Sequence, residues 1–303
     1  MRLAVLGSGS KGNALLVECG STRVLVDCGF GAKELLQRLA QIDVTPQSIT
    51  ALVVTHGHSD HAKGAHAFAA AFAKRTYATA ATQTYGARSG GLANHVPVVA
   101  TEPFQIGTLH FMPIALPHDA PGTIALRVDN GHSALGICTD LGHPDFSQVD
   151  QLGKCHTLYL EFNHDEDMLR HGPYPAWLKR RVASPQGHLS NCQAAYLLKK
   201  LHGSELKQVI LAHLSEVNNT PALAMRAAIQ ALGNTSVDVQ VADQGRASPY
   251  WSLPAAPASS PLPASPAAPP AYSLIDVAAR RQGKPAVGIA ARRQMQLFGG
   301  GTS

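Results

Sequence analysis

The sequence predicts a layered α/β fold, and two patterns carry that expectation. Short apolar runs rich in Val, Ile and Leu alternate with segments of helical period: Arg23–Asp27, then "AKELLQRLAQI", then Ala51–Thr55. Histidines and aspartates follow directly on those runs, and layered α/β folds build their sites on loops at strand ends. A hydrophobic content of 45 % over 303 residues is enough for a sizeable core.

Arg2–Leu6 and Ala14–Glu18 are apolar runs parted by the glycine-rich "GSGSKGN", which reads as a tight turn in which Lys11 could reach a phosphate. That turn lacks the G-x-x-x-x-G-K-[ST] spacing of a P-loop. Arg23–Asp27 and Ala51–Thr55 are strands around the first helix, and "HAFAAAFAKR" is a second helix. Strands follow at Ala93–Val99, Leu109–Ala115, Thr123–Val128, Ser133–Cys138 and Thr157–Phe162. "CQAAYLLKKLH" reads as a helix and "QVILAH" as a buried strand. "PALAMRAAIQAL" is a helix with Pro221 in its first turn and Asn219 or Thr220 as cap. "VDVQVAD" closes the series as a strand.

Near Ser252 the composition changes. "LPAAPASSPLPASPAAPP" holds seven prolines and no charge, too little apolar surface to fold, and reads as a semi-rigid linker. The expected organisation is a catalytic body over 1–252, a Pro/Ala-rich linker over 253–290 and a basic tail over 291–303. The formal charge of +5 is concentrated beyond Leu253, which carries +4, so the body is nearly neutral. Five cysteines without a C-x-x-C pair read as reduced thiols rather than a disulfide framework. No apolar run approaches the roughly 20 residues that span a bilayer. The opening residues are too short for a secretory segment, so a cytoplasmic protein is expected.

Most of the chemistry lies in "VVTHGHSDHAKG". A strand runs into His56, His58, Asp60 and His61, four donors around a turn at Gly57. Mixed imidazole and carboxylate donors without cysteine suit Zn²⁺ or Mn²⁺ and argue against a structural zinc finger. Further donors follow other apolar runs: Asp27 in "VLVDCG", His118 in "LPHDA", Asp140 in "GICTDLG" and His213 in "ILAHLS".

This order of motifs resembles the metallo-β-lactamase fold, an αββα sandwich with two metals at one edge of its sheets. The resemblance implies that His56, His58 and His118 hold one divalent metal and that Asp60, His61 and His213 hold the other. Asp140 would bridge them, and Asp27 would orient a ligand or its loop. "GSGSKGNALLVE", "LEFNHDEDMLRHGPYP" and "GHLSNCQAA" are similar to the nuclease and phosphodiesterase branches, and the set of blocks most resembles the YycJ/WalJ group of 5′→3′ DNA exonucleases. That similarity runs from Met1 to about Ala242.

The resemblance implies a two-metal phosphodiesterase acting on DNA in repair or replication, with Asp60, Asp140 and His188 assigned to the chemistry. His188 stands where related phosphodiesterases carry a histidine that touches the scissile phosphate. Glu161 is expected to orient His188, with Asn163 and His164 beside it and His164 as a further phosphate or metal contact. Lys179, Arg180 and Arg181 would neutralise a polyanionic substrate. His143 and His171 read as surface residues. The alternatives are a phosphodiesterase for small cyclic or nucleotide phosphoesters, or another hydrolase of the same fold. In the tail, Gln294, Met295, Leu297 and Phe298 form a pentapeptide with Gln296 that resembles the motif by which bacterial proteins dock on the DNA polymerase sliding clamp.

Overall fold

The computed structural model describes residues 1–85, 91–143, 150–203 and 205–255. Two seven-stranded sheets form the centre. The first is built from β1 (Arg2–Gly7), β2 (Ala14–Cys19), β3 (Thr22–Val26), β4 (Ala51–Val53), β5 (Arg75–Thr79), β6 (His95–Val98) and β14 (Trp251–Ser252), in the order β14-β1-β2-β3-β4-β5-β6. The second contains β7 (Phe104–Ile106), β8 (Leu109–Ala115), β9 (Ile124–Asp129), β10 (Ala134–Cys138), β11 (Thr157–Glu161), β12 (Gln208–Ala212) and β13 (Asp238–Val241), in the order β13-β12-β11-β10-β9-β8-β7.

Alternation along the strands makes the layers. Leu3, Val5, Leu15, Val17, Val24 and Val26 pack in one cluster with Phe111, Leu126, Ile137, Tyr159 and Ile210 of the other sheet. Their neighbours Leu6, Leu16, Leu25 and Leu52 point the other way, onto α1 (Ala32–Ala40) and α3 (Ala65–Ala71) through Leu35, Leu39 and Phe68. On the second sheet, Leu158, Leu160, Val209 and Leu211 face outward against α7 (Asn191–Leu201) and α8 (Pro221–Leu232). Burial on both faces explains why these strands read as unbroken apolar runs. The result is the expected αββα sandwich.

Strand direction then fixes where a site can form. β3, β4 and β5 run parallel, as do β10, β11 and β12. β8 is antiparallel to β9, which is antiparallel to β10, so β8 shares the direction of β10. The carboxyl ends of β8, β10, β11 and β12 therefore open on one edge.

Several sequence expectations are corrected. β4 ends at Val53 rather than Thr55, because the Thr55 N–H leaves the ladder and donates to Asp27 Oδ1 at 2.8 Å. The second helix stops at Ala71, where Ala73 turns to φ 51° and Arg75–Thr79 enters the sheet as β5. β6 is shorter than Ala93–Val99, and its Pro97 is tolerated on an edge strand. β5, β7, β14, α4 (Ala80–Tyr85), α5 (Glu166–His171) and the short α2 (Ser59–Ala62) were not expected, nor were the bounds of α6 (Ala176–Val182). Of the two cap candidates for α8, Thr220 takes the role, its Oγ1 accepting from Leu223 N at 3.2 Å. No helix among the described residues is long and apolar enough to cross a membrane. Residues 256–303, with nearly all of the expected linker and the pentapeptide Gln294, Met295, Gln296, Leu297 and Phe298, lie outside the described residues.

Candidate metal centre

Each sheet delivers its polar side chains where its strands end. Asp27 follows β3, the His56–His61 loop follows β4, and His118 follows β8. Asp140, Asn163 and His213 follow β10, β11 and β12. Three of them take the left-handed conformation: Asp27 (φ 61°), Asp140 (φ 61°) and His213 (φ 56°). Short polar residues tolerate that region best, and here it turns each side chain sharply out of its strand into the same space. Gly29 lets the β3 loop meet the β4 loop, because a Cβ there would fall 1.8 Å from the Asp60 carbonyl oxygen.

The gathered donors form overlapping groups. His56, His58 and His118 are one; Asp60, His61 and His213 are a second; Asp140 joins His56 and His61 in a third. Asp140, Glu161, His188 and His213 make a fourth. Six of the nine are buried, with Asp140, His56, His61 and Glu161 at most 1 % exposed; His58, Asp60 and His188 are half-buried.

The outer nitrogens of His56, His61, His118 and His213 are engaged, which leaves their inner ones to face the centre. The His61 Nδ1–H donates to Asp27 Oδ2 at 2.7 Å. Thr55 Oγ1, itself donating to Asp27, lies 3.1 Å from His56 Nδ1. His118 Nδ1 is 3.1 Å from the Gly187 carbonyl, and His213 Nδ1 is 3.2 Å from Glu161 Oε1. Such outer partners set the tautomer and ring orientation of metal-binding histidines. Two of the inner atoms then lack any hydrogen-bond partner. His56 Nε2 and Asp140 Oδ2 are buried without a hydrogen-bond partner, although His61 Nε2 lies 3.1 Å from that oxygen. His213 Nε2 stands 3.4 Å from Asp60 Oδ2 and 3.7 Å from Asp140 Oδ1. Converging lone pairs in a buried space are unfavourable with each other and favourable around a cation, so the donor set fits divalent metal ions.

With protons alone, the same crowding drives the ionisations apart. Burial pushes the His61 imidazole down, but the carboxylates of Asp140, Asp27 and Asp60 outweigh it and hold it well above the usual range. Burial and the charge of His61 together push His56 well below it. Burial opposes ionisation of Asp140, yet His213, His61 and His56 hold its carboxyl well below the ordinary value. Glu161 is likewise disfavoured by burial, and His188 and His213 bring it down to about 2.

Beside this cluster, the His188 Nδ1–H donates to Glu161 Oε1 at 2.8 Å, while Glu161 Oε2 accepts from Leu141 N and Leu189 N. The ring lies 5.1 Å from that of His213, near parallel. Asn163 Nδ2 donates to the His213 carbonyl at 3.1 Å. His164 joins none of the four donor groups; its carbonyl accepts from Asn191 N and ties the 188–191 segment to the end of β11. The basic triplet is only partly directed here. Arg181 Nε donates to Asp119 Oδ2 at 2.6 Å, Lys179 Nζ donates to the Arg170 carbonyl, and Arg180 is exposed. Lys11 pairs with Glu216 at 2.5 Å.

Three contributors were missed from the sequence. Asn13 Nδ2 lies 2.9 Å from His61 Nε2, so the turn in "GSGSKGN" also reaches the centre. Ser8 Oγ accepts from His213 N at 2.8 Å and from the Tyr159 hydroxyl at 2.7 Å. Asp119 Oδ1, buried and without a hydrogen-bond partner, stands 3.2 Å from His58 Nε2 and 3.4 Å from His118 Nε2. For Asp119 the available signal was its place directly after His118.

A family model described as a beta-lactamase superfamily domain matches residues 22–214, a span holding every donor in the four groups. The chain belongs to the beta-lactamase superfamily. It is a metal-dependent hydrolase of that family. It is 31 % identical over 238 residues to exodeoxyribonuclease YycJ of Bacillus anthracis, covering 77 % of this chain and 89 % of that protein. It is 29 % identical over 247 residues to exodeoxyribonuclease WalJ of Streptococcus pneumoniae, covering 79 % and 91 %. Among solved structures, the metallo-beta-lactamase fold protein YhfI of Bacillus subtilis is similar with a TM-score of 0.64 at 16 % identity, over 82 % of this chain and 99 % of that one. The fold is shared at that distance.

Proposed function

We propose that this hydrolase is a two-metal exonuclease that cuts phosphodiester bonds of DNA from the 5′ end, in repair or replication. The observation that carries the phosphodiesterase reading is His188, an imidazole outside all three of the three-donor groups, held by the buried Glu161 beside them. A lactam or thioester hydrolase has no evident use for it, whereas a departing sugar oxygen needs a proton. DNA as substrate is supported by the near full-length similarity to proteins named exodeoxyribonucleases.

His56, His58 and His118 would hold one Zn²⁺ or Mn²⁺, Asp60, His61 and His213 the other, with Asp140 between them. Bound there, the ions would activate water and offset charge on the attacked phosphate. The chain's own groups do the rest. Glu161 keeps the His188 Nδ1–H engaged, so Nε2 is the atom presented to substrate. With both ring nitrogens protonated and the Nδ1–H held by Glu161, His188 gives its Nε2 proton to the leaving oxygen and is left as neutral imidazole. Asp27 and Thr55 hold His61 and His56 in the tautomers that leave Nε2 unprotonated. Arg181, at the margin, offsets backbone charge.

The test uses end-labelled duplex DNA blocked at either end, with Mn²⁺ or Zn²⁺, beside bis(p-nitrophenyl) phosphate. Shortening only from a free 5′ end is expected, and Asp140→Ala should abolish it. Efficient ester turnover without DNA cleavage would refute the reading in favour of a small-phosphodiester enzyme.

The tail extends the same proposal. With the catalytic body over 1–252 and a linker over 253–290, the pentapeptide from Gln294 to Phe298 would tether the enzyme to a sliding clamp. Leu297 and Phe298 would fill an apolar pocket and Gln294 would fix register, a reading that rests on sequence pattern alone. Full-length protein should bind a clamp, and Leu297→Ala with Phe298→Ala should remove that binding; equal binding by both forms would end the idea.

A further inference from the structure

Helix α6 carries an aromatic side chain that the fold does not use. Trp177 is 61 % exposed, the most exposed large apolar side chain among the described residues. One exposed apolar residue needs no explanation by itself. Its company does. Lys179, Arg180 and Arg181 stand on the same short helix, and none of its residues is buried. Trp177, Arg180 and Arg181 are spaced i, i+3 and i+4, which places them along one face.

That face is joined to the metal centre by two side chains. Arg181 Nε donates to Asp119 Oδ2 at 2.6 Å, and Asp119 Oδ1 lies 3.2 Å from His58 Nε2. Arg181 is thus the residue of α6 tied to the metal centre, and Trp177 lies one helical turn from it on the same face. The body is close to neutral overall, so three basic residues on one short helix beside an indole, with Arg181 paired to Asp119, are a directed feature rather than general basicity.

We propose that α6 is the platform for an unpaired stretch of the DNA strand being cut: Trp177 stacks on a base, and Arg180 and Arg181 neutralise its phosphates. The proposal rests on the nuclease reading above and adds to it a contact with bases. Base–aromatic stacking is sequence-tolerant, as an enzyme that degrades any strand requires. It also favours frayed or single-stranded ends over closed duplex, because a paired base has no free face to offer.

The chain has two tryptophans, Trp177 and Trp251, so the indole reports directly. Metal-loaded full-length protein is titrated with a single-stranded oligonucleotide carrying phosphorothioate linkages, and with an abasic strand of equal length and charge. The base-bearing strand should quench Trp177 fluorescence and the abasic strand should not. Trp177→Phe, which leaves Trp251 as the sole tryptophan, should abolish the quench. By anisotropy of a labelled strand, Trp177→Ala should weaken binding by about five- to a hundred-fold, and Trp177→Phe should restore most of it. Equal quenching by both strands, or unchanged affinity in Trp177→Ala, overturns the platform. DNA cleavage without a quench would leave the nuclease standing and the platform refuted. A quench with the phosphorothioate strand but no cleavage of an unmodified strand would leave the stacking contact standing and refute the nuclease reading.

Discussion

Glu161→Gln is the most informative single change at the centre. The side chain is fully buried, and the groups around both oxygens are nitrogen donors. Oε1 faces His188 Nδ1 at 2.8 Å and His213 Nδ1 at 3.2 Å; Oε2 accepts from Leu141 N at 3.1 Å and Leu189 N at 3.2 Å. Glutamine keeps the size but must turn an NH₂ toward one pair. Facing the backbone pair, it meets two N–H groups that cannot change. Facing the imidazoles, it forces the His213 proton from Nδ1 to Nε2, the atom 3.4 Å from Asp60 Oδ2 and directed at the metal position. Either choice forfeits two charge-assisted hydrogen bonds, each about 1.5–3 kcal/mol, so roughly 3–6 kcal/mol is lost in all. If half of that falls on the transition state, the rate drops by about 10- to 200-fold; if all of it does, by about 10²–10⁴. The assay is kcat/KM on a DNA oligonucleotide, with metal content by elemental analysis and near-UV circular dichroism to confirm the fold. A folded Glu161→Gln protein that keeps its metals and cuts within about threefold of the parent rate would refute both the positioning of His188 and the tautomer assigned to His213.

Other changes probe separate parts of the structure. Asp119→Asn removes the charge beside His58 and His118 and should weaken metal binding by about 10- to 100-fold, read by competition with a chromophoric chelator. Gly29→Ala drives a methyl group into the Asp60 carbonyl and should cost about 2–4 kcal/mol in urea unfolding while lowering metal content. Glu18 belongs to none of the four donor groups and lies between Arg2 at 2.6 Å and Arg23 at 2.7 Å; burial pushes its carboxyl up, but hydrogen bonds from Arg23 and Arg2 outweigh this and hold it below the ordinary value. Its contribution is therefore complete above the unfolded value of about 4.3 and lost as pH falls through the lower folded value. Glu18→Gln should cost about 1–2 kcal/mol at pH 7, discounted for the partly exposed arginines, and progressively less below about pH 4, checked by thermal melts across that range.

The donors gathered at the centre were legible because most of them stand just after a strand, so local pattern and chemistry coincide. What escaped is set by distance along the chain. Ser8 meets His213 across 205 residues, and Arg181 meets Asp119 across 62. No local period encodes such pairs; they exist only once the two sheets have closed on each other. The unexpected elements have the same origin. β5, β7 and α4 are three to six residues long and owe their conformation to pairing and packing rather than to propensity. Asp27, Asp140 and His213 were read as polar residues at turns, yet their left-handed backbone is what aims them, and a sequence shows the residue without the angle.

These outer partners explain why the gathered donors suit a cation. Asp27, Thr55, Gly187 and Glu161 engage the outer nitrogens of His61, His56, His118 and His213, while Asp119 stands against His58. Each removes a choice that a free imidazole would have, between donating inward and accepting inward. With that choice removed on both sheets, the inner face becomes an array of acceptors around Asp140 and Asp60. Such an array repels itself in a buried space, and it is relieved by protons or by metal ions. Substitution of an outer partner should therefore act at a distance on metal affinity, even though that residue donates no electron pair to the ion.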